Sequence, residues 1–100
     1  MSKLLYMTYK ILPYSYQQAE KLNVTIKPSK KKNKKIDVYK NGDLIASIGD
    51  IHYFDYPNYL LQNESIANTK RRLYKIRHEK DIHNIGSPGF FAFKILWGDC

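Results

Sequence analysis

The chain has 100 residues, 43% of them hydrophobic and 14% aromatic, which is enough for one compact core and too little for a catalytic domain beside a separate binding domain. Its 17 lysines and arginines against 9 acids give a formal charge of +8, a balance that favours phosphate backbones, anionic lipid or an acidic protein as partner. The lone cysteine, Cys100, excludes an intrachain disulfide, and no stretch is apolar for long enough to form a signal-peptide core or span a bilayer, so the expectation is a soluble, non-secreted protein with no membrane partner.

Residues 1–21 read as an N-terminal extension laid against the domain, with Ser15 suited to cap a short helix from Tyr16 to Lys21. Residues 22–100 read as a single small basic domain. From Leu22 the pattern alternates: Val24 and Ile26, then Ile36 and Val38, then Leu44, Ala46 and Ile48, predicting three short strands. Asn41-Gly42 takes the two positive φ angles of a type I′ turn and joins the second and third strands. Pairing Lys40 with Asp43 sets Tyr39 opposite Leu44 and Val38 opposite Ile45. Between the first two strands, KPSKKKNKK reads as a solvated connection.

The segment GDIHYFDYPNYLLQN crowds Tyr53, Phe54, Tyr56 and Tyr59 around Pro57, which predicts a loop and one helical turn. Asn63 then caps a helix expected from Glu64 to Lys80, with Ile66, Thr69, Leu73 and Ile76 as its apolar stripe. Ser87 and Pro88 open a last helix, and FFAFKILW supplies the core plug that packs on the sheet. The fold class is α+β: a three-stranded antiparallel meander covered by two C-terminal helices.

If that stripe is buried, Arg71, Arg72 and Lys75 point to solvent and Arg77 turns inward. A buried guanidinium needs an acid, because removing one partner of a buried pair costs about 3–5 kcal/mol. Asp50 and Asp55 are the nearest by chain position, so Arg77 is assigned to a structural ion pair with one of them. Arg71, Arg72 and Lys75, together with Lys30, Lys31, Lys32, Lys34 and Lys35, are assigned to nucleic-acid backbone. Tyr39 or Tyr53 is a candidate to stack on bases if it borders the same surface. His78 is held as structural.

Metal binding needs convergent ligands, and His52, His78, His83 and Cys100 show no CxxC, HxxxH or HExxH spacing. No metal and no cofactor is expected. A third reading, a small nuclease, draws on Asp50, His52, Asp55 and His78, with Arg71 or Arg77 stabilising charge on a phosphate.

From about Leu22 to Trp97, a Lys-rich hairpin followed by IGDIHYFDY, KRRLYKIRH and GSPGFFAFKILW resembles a family of small uncharacterised proteins encoded by large nucleocytoplasmic DNA viruses and tailed phages. The matching positions are Gly49, Asp55, Tyr56, Arg71, Arg72, Tyr74, Arg77, His78, Gly89, Leu96 and Trp97, while Ile48 stands where the family has Phe. The resemblance implies a viral or phage origin, a location in the host cytoplasm or the virion, and no mechanism. The expected function is a non-enzymatic accessory protein that binds a polyanion, nucleic acid first. The alternative is a virion structural protein whose partners are other virion proteins.

Overall fold

A computed structural model of the chain describes residues 9–98. The start of the expected extension and Cys100 lie outside them. In chain order the elements are α1 (Pro13–Lys21), β1 (Thr25–Pro28), β2 (Lys34–Lys40), β3 (Asp43–Asp50), α2 (Tyr56–Leu60), α3 (Glu64–Arg77), α4 (Glu79–Ile82) and α5 (Pro88–Leu96). The three strands form an antiparallel meander in the order β1-β2-β3.

Asn41 and Gly42 both adopt positive φ, 52° and 86°, as the tight turn requires. Lys40 pairs with Asp43 and Tyr39 with Leu44, but Val38 pairs with Ala46 rather than Ile45. Ile45 is the extra residue of a bulge. The slip restores the core: Ala46 and Ile48 join Ile26, Ile36 and Val38 as buried side chains, while Leu44 and Ile45 stay exposed.

The last helix behaves as its sequence predicts. Ser87 accepts a hydrogen bond from the Phe90 N–H at 3.1 Å, and Phe91, Phe93, Ile95, Leu96 and Trp97 are all buried. The helix packs on β3, with α1 and α4 beside it.

The first helix begins earlier than expected, at Pro13, with Leu12 as its cap. Proline at the first helical position has its φ already set and no N–H to waste. Ser15 is therefore inside the helix, and its hydroxyl donates to the Ile95 carbonyl at 2.9 Å, while Gln18 Nε2 donates to the Lys94 carbonyl at 2.9 Å. These bonds anchor α1 to the end of α5.

The largest departure concerns α3. Its inward face is Ala67, Arg71, Tyr74 and His78, while Ile66, Leu73 and Ile76 are exposed. Ala67 is fully buried, and its small side chain lets α3 approach α2 closely. Tyr74 stacks on Trp97 with ring centroids 4.5 Å apart and planes 12° from parallel. The Arg71 guanidinium carbon lies 3.5 Å from the centre of the Tyr56 ring. Broad flat contacts to aromatic rings set the rotation of this helix, and the aliphatic stripe is left outside. The helix also stops at Arg77, where His78 leaves helical geometry, and α4 restarts at Glu79.

Candidate functional site

The acidic loop before α2 folds around a lysine. Asp55 caps α2 by accepting from the Asn58 N–H, and its side chain is fully buried against Lys35, with Nζ 2.8 Å from Oδ2. Tyr9 donates to the same oxygen at 2.6 Å, and Asn58 Nδ2 donates to Oδ1 at 2.6 Å. Burial, reinforced by the neighbouring Asp55 carboxylate, pushes the Tyr9 hydroxyl far above its ordinary pKa. Gly49, at φ +80°, lets the Lys35 stem through: a Cβ there would lie 2.9 Å from Lys35 Cδ and 2.9 Å from Leu96 Cδ1.

Two assignments from the sequence are corrected by this cluster. Asp55 belongs to Lys35 and not to Arg77, and Lys35 is a core residue rather than a phosphate contact. Asp50 is also taken, because its Oδ1 lies 2.7 Å from His52 Nδ1. The His52 N–H, followed by its ring, holds the Asp50 carboxyl below the ordinary carboxylate range. Arg77 is exposed. The proposed nuclease constellation is split, since Asp55 is sealed inside while Asp50 and His52 sit at the surface. Among the described residues, no group of three or more His, Cys, Asp or Glu is arranged to hold a metal ion.

The lysine-rich connection is ordered by an acid of the middle strand that no local pattern in the sequence marks out. Asp37 is buried, and its carboxylate accepts from the Ser29 hydroxyl at 2.6 Å, the Ser47 hydroxyl at 2.7 Å and the Lys30 N–H at 3.2 Å. Burial alone raises the Asp37 pKa, but those hydrogen bonds and the nearby Lys31 outweigh it and hold the carboxyl below its usual value. The turn is further closed by Ser29 N–H to the Lys35 carbonyl at 3.0 Å, and Ile51 N–H reaches the Asn33 carbonyl at 3.1 Å. Lys30, Lys31, Lys32 and Lys34 are all exposed on this fixed turn.

Beside the turn, a cleft of about 640 Å³ opens between the end of the sheet, α2, α3 and α5. Its floor includes Tyr59, Tyr74, Leu96 and Trp97. Tyr74 also stacks on His78 with centroids 4.2 Å apart, so three rings hold one another in place. Burial pushes the Tyr74 hydroxyl up to about 12, with Asp81 adding to the rise and Arg77 opposing it. Tyr53 and Phe54 border the cleft and are 70% and 53% exposed. Lys34, Lys70 and Arg77 supply its exposed cations, Lys35 being buried and paired with Asp55, and Asp50 is the acid among its lining residues.

The helix cations thus divide three ways. Lys70 and Arg77 share a stripe with Ile66 and Leu73, spaced i, i+4, i+7 and i+11, that overlooks the cleft. Arg71 is half-buried and architectural: besides the Tyr56 ring, its Nη2 is 3.4 Å from the Tyr14 hydroxyl and 3.4 Å from the Gly98 carbonyl. Arg72 borders a shallow depression with Glu64, Ser65, Asn68 and Thr69, and Lys75 is exposed on the flank away from the cleft. The roles expected of Arg71 and Arg77 are exchanged, because α3 turns Ala67, Arg71, Tyr74 and His78 inward instead of the stripe of Ile66, Leu73 and Ile76. Lys70 and Phe54 line the cleft without a motif that marks them, and the signal the sequence carries for them is the crowding of aromatics at 53–59 beside a basic helix.

Comparison of the chain with protein-family models, with curated proteins and with solved structures gives no match.

Proposed function

We propose that the protein is a non-enzymatic nucleic-acid-binding module that holds the phosphate backbone with little base reading. One observation carries this reading. Exposed aromatic rings and the cations Lys34, Lys70 and Arg77 border one cleft, whose lining carboxylate, Asp50, already holds His52. The turn bearing Lys30, Lys31 and Lys32 continues that positive surface, because Lys34 belongs to both. Phosphate contacts position a nucleic acid without specifying its sequence.

The test is the affinity for a labelled oligonucleotide as a function of salt. With four to six phosphate contacts, binding weakens by about one to three orders of magnitude between low and physiological salt. A flat response ends the reading.

A second reading, a protein that packs against other subunits of a virus particle, is favoured by the exposed Ile66, Leu73 and Ile76 on α3 and by Leu61 at 75% and Ile85 at 83% exposure. The segment FFAFKILW is committed to the core and supplies no such contact surface. Oligomers that form with rising protein concentration and resist salt favour this alternative.

A further inference from the structure

We infer that the cleft accepts an unpaired base, so that the nucleic acid bound is single-stranded, with its backbone running from the cleft onto the lysine turn. This rests on the nucleic-acid reading above and deepens it.

Phosphates alone need no concavity, since surface cations reach them from a flat or convex face. Here the cations border a hollow of about 640 Å³, a size within the range of sites that enclose small planar ligands. Its floor is aromatic and already ordered. Tyr74 is stacked with both Trp97 and His78, and Phe54 meets Tyr59 edge-on with centroids 5.5 Å apart. At the mouth, Tyr53 and Phe54 leave large ring surfaces in water at 70% and 53% exposure. A base covers such a face regardless of its identity, because every base presents a π-surface.

The bases of a duplex are stacked on one another and paired, so none is available to enter without being flipped out at a cost. A single strand presents its bases without that cost. A polymer is favoured over an isolated nucleotide because the positive surface outruns the cleft: the Ile51 N–H to Asn33 carbonyl bond fixes the lysine turn alongside it. One nucleotide occupies the hollow, and its neighbours lie along Lys34 and the turn lysines.

The experiment compares three labelled ligands of about twelve nucleotides, a length within the span of known single-strand sites: an oligo(dT), an abasic strand of equal length and charge, and a duplex. Each is titrated against the full chain at low salt. Trp97, the only tryptophan, lines the cleft and reports directly on a base that enters it. The expected result is that oligo(dT) binds about tenfold more tightly than the abasic strand, the loss typical of one base–aromatic stack, and that it alone quenches Trp97. Phe54→Ala, or Tyr53→Ala at the more exposed position, then removes that advantage, so that oligo(dT) and the abasic strand bind the variant alike. Equal, salt-sensitive affinity for oligo(dT) and the abasic strand overturns this inference while leaving the phosphate reading intact. Failure of all three ligands to bind overturns both.

Discussion

Lys35 and Asp55 meet inside the protein, Nζ to Oδ2 at 2.8 Å, with 4% and 0% of their side chains exposed. The pair joins the middle strand to the cap of α2, and Tyr9 locks it from the N-terminal side. Such a pair contributes little when compared with apolar groups of the same shape, but it is costly to break from one side.

Asp55→Ala is therefore expected to lower stability by about 3–5 kcal/mol, because it strands a buried ammonium. Lys35→Met removes the charge that needs a partner, and adding it to Asp55→Ala recovers part of the loss. Denaturant midpoints of the two single variants and the double variant give the coupling. If Asp55→Ala unfolds at the wild-type midpoint, the pair is not the tie described.

Arg71 and Arg77 separate stability from binding. Arg71→Ala gives up the contact with the Tyr56 ring and two hydrogen bonds, and is expected to cost about 2 kcal/mol. Arg77→Ala, at an exposed position, is expected to change stability by less than about 0.5 kcal/mol and, on the proposed function, to weaken binding to nucleic acid. Thermal melts and anisotropy titrations of both variants check the assignment. A stable Arg71→Ala protein with lost binding would return Arg71 to the role the sequence first suggested for it.

The charged turn is expected to make the protein acid-sensitive. The Asp37 carboxyl has its folded pKa held below the unfolded value, so its contribution is complete at neutral pH and is lost as pH falls through the folded pKa, below about pH 4. Asp37→Asn is expected to be less stable by about 1.5–3 kcal/mol at neutral pH, the worth of hydrogen bonds to a charged group. The variant also loses stability less steeply in acid. Parallel acid limbs for wild type and variant would contradict this.

At the alkaline end the sign reverses. Tyr74 keeps its proton up to about 12 in the folded chain, against an ordinary 10.0, so the unfolded chain releases that proton first and stability falls as pH rises between the two values. Tyr74→Phe is expected to make this limb less steep, leaving the share due to Tyr9, whose hydroxyl is also held above its ordinary value, as followed by chemical unfolding across that range.

Much of the fold is written in local patterns. Asn41-Gly42 declares the hairpin, the alternation at 36–38 and 46–48 declares the sheet, and Ser87-Pro88 declares the last helix. Each depends on a few neighbouring residues. The bulge at Ile45 is not local: it reconciles a tight turn with the burial of Ala46, a demand set by the packed face of the sheet. The site was harder to see for the same reason. On a helical wheel Ile66, Leu73 and Ile76 outweigh Ala67, Arg71, Tyr74 and His78, and only the presence of Tyr56 and Trp97 underneath reverses the choice. No spacing in the sequence reveals that Lys35 lies across Gly49 to reach Asp55. The cationic character of the surface was legible, but which cations are spent on the fold depends on tertiary contacts.

The central claim is that phosphates are held at the cleft by the cations that border it. The most direct measurement is the slope of log affinity against log salt for single-stranded DNA, in wild type and in a Lys70→Gln/Arg77→Gln variant. Each lost phosphate contact reduces the slope by about 0.7, so the variant is expected to bind more weakly with a slope shallower by about 1.4. A variant that keeps the wild-type affinity and slope, while Lys30→Gln/Lys31→Gln/Lys32→Gln abolishes both, would locate binding on the turn alone and contradict the role given to the cleft.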